Sequence, residues 1–161
     1  MNLVEKDIAD AIEWAVIALG IPGAQVISPW AIAQPGETRN REDPSSCLIV
    51  EIAVGNRMFD TPQQCMAQWD CGIEVSVRDE FDPTGSIALD AWTKIADMLQ
   101  DWQDDLDAVQ TSLQADSFDL TGFRLDGGQS PVRDRNARCL RIRQNFTVRG
   151  TINRQTTTQG E

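Results

Sequence analysis

An α+β fold is what this sequence predicts: a mostly antiparallel sheet of about four or five strands, packed against an N-terminal helix and a long amphipathic helix. Three observations carry that prediction. Residues Asn136 to Ile152 alternate in residue type with period two for longer than any other segment. Between Gly85 and Gly122 there is no Pro or Gly, and apolar residues recur there at helical spacing. Two further strand-like runs, Cys47–Val54 and Cys65–Arg78, are joined by a short turn-forming stretch of the kind that antiparallel pairs use.

A chain of 161 residues is the size of one domain, spanning 1–161 and able to bury roughly two-thirds of its unfolded surface around a single core. It contains no His, so acid–base or metal chemistry would have to rest on carboxylates, cysteines, Lys6 or Lys94. Cys47, Cys65, Cys71 and Cys139 form no CxxC pair. They read as reduced, mostly buried small hydrophobes. The first twenty residues are acidic and amphipathic, unlike a signal peptide, and no run reaches the ~18 apolar residues of a membrane span. The expectation is a protein made and kept in a reducing cytoplasm, without a membrane partner.

In order along the chain, Asn2 and Glu5 have the spacing of a capping box, and Gly20 followed by Pro22 ends the helix they start. Val4, Ile8, Ala11, Ile12, Ala15, Val16 and Leu19 make its apolar face, while Leu3, Trp14 and Ile17 form a second strip, suited either to this fold or to a neighbour. Ala24–Ser28 fits a short strand. Residues 34–46 form a long polar loop, and Cys47–Val54 a buried strand in which Glu51 needs a partner or an exit to solvent. A turn is expected over 58–64, then a long strand Cys65–Arg78 with Gly72 marking a bulge.

After FDPTGS come Ala88, Trp92, Ile95, Leu99, Trp102, Leu106, Val109 and Leu113, with Leu89, Ala96 and Met98 widening the stripe. This predicts one helix over about 86–115, or two broken near Trp102 where Asp101, Asp104 and Asp105 can cap a restart. Phe118–Leu125 is a strand interrupted by Gly122, Asp126-Gly127-Gly128 turns the chain, and QSPVRDRN is a polar connection. In the closing strand, Leu140, Ile142, Phe146, Val148 and Ile152 share one face. Cys139, Arg141, Arg143, Asn145, Thr147 and Arg149 share the other. Residues 153–161 read as a frayed polar tail.

Charge is segregated within a net of -11. Residues 79–126 hold twelve carboxylates against Lys94 and Arg124, whereas residues 127–161 hold seven arginines against Asp134 and Glu161. Either the acidic helix and the Arg strand neutralise each other within one subunit, or the basic strand of one copy meets the acidic helix of the next in a head-to-tail ring. Asp101, Asp104, Asp105 and Asp107 lack the loop of a calcium site, and Asp79, Glu80 and Asp82 suit the N-terminal end of a helix dipole. No hydrolase, nucleotide-loop, dinucleotide or zinc-protease motif is present, so an enzyme is the weaker class, and no metal or cofactor is expected. A small metal- or ligand-binding domain built on carboxylates is the rival from a different class.

The order of elements adds a resemblance. A helix ending in Gly-Ile-Pro is followed by a polar loop, the strand PSSCLIVEIAV, the strand IEVSVRDEF leading into DPTGSIALDAWTKIADML, and the closing strand RCLRIRQNFTVRG. Over residues 3–152 this resembles the tail terminator and related neck, or head–tail joining, proteins of tailed bacteriophages. The resemblance implies a virion structural protein, assembled in the host cytoplasm, that forms a ring, usually a hexamer, on the tail tube. Such a ring stops tail polymerisation and offers the head-docking surface. It also implies tail-tube and head-completion or connector proteins as partners, and DNA passing through the lumen without specific binding. A head-completion protein on the portal side is the alternative within this class. Expected contact residues are Arg141, Arg143 and Arg149, with Leu3, Trp14 and Ile17.

Overall fold

The computed structural model describes residues 4–28, 48–59, 66–113, 117–127 and 131–152. Leu3, the 34–46 loop, the tail from 153, Cys47, Cys65 and most of the 58–64 turn lie outside them. The order is α1 (Val4–Ala18), β1 (Ala24–Ile27), β2 (Leu48–Phe59), β3 (Met66–Arg78), α2 (Ser86–Asp104), α3 (Leu106–Leu113), β4 (Phe118–Asp126), β5 (Val132–Asp134) and β6 (Cys139–Ile152). The fold is α+β.

Among the described residues six strands form one sheet in the order β1-β2-β3-β6-β4, with β5 beside the start of β6. The sheet is mostly antiparallel, as expected, and two details differ from the expectation of four or five strands. The stretch expected as a polar connection contains β5, and β1 runs parallel to β2 while every other pair is antiparallel. Residues 135–138 are a turn, so the closing strand starts at Cys139 rather than Asn136.

Period-two alternation divides the sheet into two faces. In β3, Ala67, Trp69, Cys71, Ile73, Val75 and Val77 are all buried on one side, and Ile142, Phe146 and Val148 of β6 join them. All three helices pack on that side and close a single core. Trp69 meets Phe118 edge-on at 5.7 Å, and Phe123 links Phe146 to Trp102, with ring centroids 5.2 and 5.6 Å away. Burying each such aromatic side chain contributes about 1.5–3 kcal/mol. Among the described residues no helix lies over the opposite face.

Local chemistry sets the helix ends. Gly20 takes the left-handed conformation (φ 66°) and its N–H donates to the Ile17 carbonyl, closing α1. The buried Asp82 carboxylate accepts from the N–H groups of Ile87 (3.1 Å) and Ala88 (3.0 Å), capping α2 across Gly85, whose φ is 80°. Of the two alternatives for the long stripe, the chain takes the broken one. Asp105 is extended, and its side chain accepts from the Asp107 N–H at 3.0 Å. The break shifts the helical phase, which explains why Leu106 is exposed although Val109 and Leu113 are buried. Leu89, expected to widen the stripe, is also exposed.

Gly72 is not a bulge: it pairs in register with Ala53 and Asn145. The register shifts fall instead between Val54 and Arg57 in β2, and between Leu120 and Gly122 in β4. At the outer edge of β4, Gln103 accepts from the Leu125 N–H (2.7 Å) and Gln110 donates to the Leu120 carbonyl (3.0 Å). Helix side chains thus occupy backbone groups that an edge strand would otherwise offer to another chain.

At Gly150, a Cβ would stand 2.6 Å from the Asp119 carbonyl oxygen, whereas at Gly122 the nearest atom would be at an ordinary 3.6 Å. Gly150→Ala is expected to destabilise the fold by about 1–3 kcal/mol in urea unfolding and Gly122→Ala by less than about 1 kcal/mol. Equal effects would contradict this account of the β4–β6 approach.

Candidate functional site

The face of the sheet without helices carries the arginines singled out in the sequence. Strand pairing sets rows across it. Glu51 of β2 stands opposite Glu74 of β3, which stands opposite Arg143 of β6, and Ser76 is opposite Arg141. One carboxylate serves two guanidinium groups: Glu74 Oε1 accepts from Arg141 Nη1 at 3.1 Å, and Glu74 Oε2 lies 4.0 Å from Arg143 Nη1. Arg141 Nη2 also lies 3.4 Å from Asp134 of β5, and Arg143 Nε donates to Asn145 Oδ1 at 2.8 Å.

Gly72 makes this arrangement possible. A Cβ there would come within 2.6 Å of Arg143 Nη2 and 2.9 Å of Asn145 Oδ1, so any other residue would push the guanidinium away from this position over β3. Further along, Thr147 donates to Asp126 Oδ2 at 2.6 Å, and Arg124 Nε donates to Asp126 Oδ1 at 3.0 Å. Arg149 is exposed on this face, level with Gln68 and Gly122. Intrasubunit neutralisation of Arg141 and Arg143 therefore occurs, but its agents are Glu74 and Asp134 within the sheet, not the acidic helix. Residue parity put Glu74 and the arginines on one face; only the register, which sequence does not carry, makes them partners.

Charge that is not locally matched lies elsewhere. Arg135 and Arg138 are exposed in the β5–β6 turn and have no ion-pair partner among the described residues. On the helix side, Asp97, Asp101, Asp104 and Asp107 are exposed and make no ion pair among the described residues, although Lys94 lines the groove that holds Asp97 and Asp101. Sequence reading attended to the strand arginines because they alternate, and so passed over those in the turn.

Trp14 and Ile17 of α1 are 73% and 50% exposed, a solvent-facing apolar pair. Their placement depends on how α1 is fixed to the sheet. Arg57, just after the β2 irregularity, donates to both Glu5 oxygens at 2.9 and 2.8 Å, and the buried Trp69 indole donates to Glu5 Oε2 at 2.5 Å. Sequence spacing put Glu5 in a capping box with Asn2, which lies outside the described residues; within them both of its oxygens accept from these long-range donors. Burial acts to raise the Glu5 pKa, yet the bonds from Arg57 and Trp69 outweigh it and hold the group below its ordinary 4.5.

Candidate ligand chemistry is sparse. The cleft between the end of α1, β2 and α2, about 540 Å³, is walled by Ile21, Pro22, Leu48, Ile87 and Ala91. Its polar groups are Asp90, Thr93 and Lys94. Among the described residues, no three Cys, Asp or Glu side chains stand where they could hold a metal ion. Cys71 and Cys139 are free and buried, and burial pushes the Cys71 thiol up, keeping it protonated. No helix of the described residues is long and apolar enough to cross a membrane.

The Glu5 contacts give a signed pH dependence. Because the folded pKa is depressed, the stabilisation is present above the unfolded value and is lost as pH falls through the folded one. Glu5→Gln is expected to lower stability at neutral pH by about 1–3 kcal/mol and to flatten the acid-side decline in a urea series below pH 5. A variant as stable as the parent at neutral pH, with the same acid decline, would contradict this.

No protein-family model matches the chain, and no curated protein matches it.

Proposed function

We propose that this chain is a ring-forming virion subunit that caps the phage tail tube, ends its polymerisation and offers a surface for head docking. The observation that carries the reading is the two-sidedness of the subunit. One face of the sheet is closed by helices whose outer surface is acidic, and the other bears the ordered rows of charge around Glu74, Arg141 and Arg143. Rings built from one kind of subunit need two different complementary surfaces on each copy, which such a subunit supplies. The element order described above supports the same reading.

Function on this reading rests on surfaces, not on a reacting group. Trp14 and Ile17 would be apolar anchors against a neighbour or the tube, since a solvated aromatic beside an aliphatic is characteristic of contact sites. Arg149 would supply a charged contact from the sheet face. Arg141 and Arg143, engaged by Glu74, would shape that face without being free to leave it. A net acidic ring would let DNA pass its lumen without holding it.

The test is capping. Added to a polymerising phage tail-tube protein, the chain is expected to shorten the tubes and to appear at their ends by negative-stain microscopy. Trp14→Lys with Ile17→Lys, which places cations rather than carboxylates near the C-terminal end of α1, should abolish capping while changing unfolding free energy by less than about 0.5 kcal/mol, as exposed substitutions do. Tubes of undiminished length with bare ends would overturn the proposal.

A further inference from the structure

We infer that copies of this chain associate head to tail through two specific patches: the Arg135–Arg138 turn of one copy and the groove at the acidic C-terminal end of α2 in the next. The inference deepens the ring reading, on which it rests for the head-to-tail arrangement, and it moves the charged contact away from Arg141 and Arg143.

The basic patch is built to be rigid. Asp134 Oδ1 accepts from the N–H groups of Asn136 and Ala137, each at 3.0 Å, and the Asp79 N–H donates to the Arg138 carbonyl at 2.8 Å. These bonds, Ala137 foremost, hold the Asp134 carboxyl below its ordinary range, so the turn stays fastened at neutral pH. Arg133 and Arg78 in the same region are taken by Asp79 and Glu80. Arg138 is held at φ 53°, a left-handed conformation in which a non-glycine side chain is strained. The outcome is a fixed turn that projects two guanidinium groups outside any ion pair of the described residues, Arg138 sharing a cleft with Asp79 and Glu80, whose carboxylates are engaged by Arg133 and Arg78.

The acidic patch carries more negative charge than its neighbours in one copy offset. A helix C-terminus carries partial negative charge and prefers cations, yet the last turn of α2 has no basic residue and includes Asp101 and Asp104. A groove of about 500 Å³ opens there between α1, α2 and α3, with Asp97 and Asp101 on its wall and Leu19, Met98, Ala108 and Trp102 as apolar lining. Lys94 also lines it. Arginine fits such a place better than any other side chain, because its stem packs on apolar surface while its fork meets carboxylates.

The two patches cannot serve each other within one copy. Gly85, at the start of α2, adjoins Leu140 and Arg133 beside the basic turn, and roughly 24 Å of helix axis separates it from Asp101. That is several times the ~8 Å over which free charges interact at physiological salt. Each patch therefore finds its complement on a second copy, and the contact is heterologous. Edge pairing at β4, one competing route to association, is obstructed by Gln103 and Gln110.

A charge swap tests this on the full chain. Arg135→Glu with Arg138→Glu should reduce the assembly to single chains in light scattering at low salt, and so should Asp101→Lys with Asp104→Lys. Each variant has only like-charged pairings to itself, but in a mixture the unaltered patch of one meets the unaltered turn of the other, and the altered turn of the first meets the altered patch of the second, so alternating copies are expected to assemble beyond a dimer. All four substitutions in one chain should restore the full assembly. Arg138→Gly, which relieves the left-handed strain, guards against misfolding and should weaken assembly without lowering the melting temperature. Single-patch variants that still assemble, a fourfold variant that does not, or a parent chain that stays single at its highest soluble concentration would each overturn the inference. Assembly that depends on both patches but never caps a tube would overturn the tail reading alone; capping indifferent to both patches would overturn this inference alone.

Discussion

The pairing of β3 with β6 governs both faces of the molecule. Every residue from Met66 to Arg78 is matched without a slip to a partner between Thr151 and Cys139. Because side chains alternate, a shift of one residue would carry Trp69, Ile73 and Val75 to the open face and bring Glu74 into the core. The same register sets Glu74 beside Arg143 and Gly72 beside Asn145, so the core and the charged rows stand or fall together. The irregularities of the sheet lie in β2 and β4, outside this central pair. They let the flanking strands bend while the centre keeps its alignment.

Around that centre, charge is dealt with in two ways. Within the sheet, carboxylates and guanidinium groups meet at 3–4 Å and are half-shielded from water, so they orient one another at modest net energy. Beyond it, the turn before β6 and the far end of α2 hold charges that no neighbour in the described chain matches. In an isolated subunit the acidic residues at the end of α2 serve only the short restart into α3 and a bond from Gln100, and the arginine in the left-handed turn has no ion pair among the described residues. Both become intelligible as surfaces kept for another copy, where local stability is given up for association.

Much of the fold was legible in the sequence because it depends on local period. The alternation of β6, the stripe of α2 and α3, the glycine that closes α1 and the aspartates near the helix break all act within a few residues of themselves. What escaped depends on contacts far apart in sequence. Glu5 has the spacing of a capping residue, yet Arg57 and Trp69, more than fifty residues away, take its oxygens. Gly72 has the look of a bulge until Arg143 is seen lying across it. β5 is three residues long and exists only because β6 extends far enough to pair with it. For the candidate site, the sequence identified the basic segment and the acidic one. The separation of paired from unpaired arginines required the register.

The most direct test of the central claim, that this subunit carries two complementary surfaces for its own kind, is its mass in solution by light scattering at low and high salt. The account predicts an assembly several times the mass of one chain at low salt, breaking down as added salt screens the contacts between arginines and carboxylates. A mass equal to one chain under both conditions would contradict it.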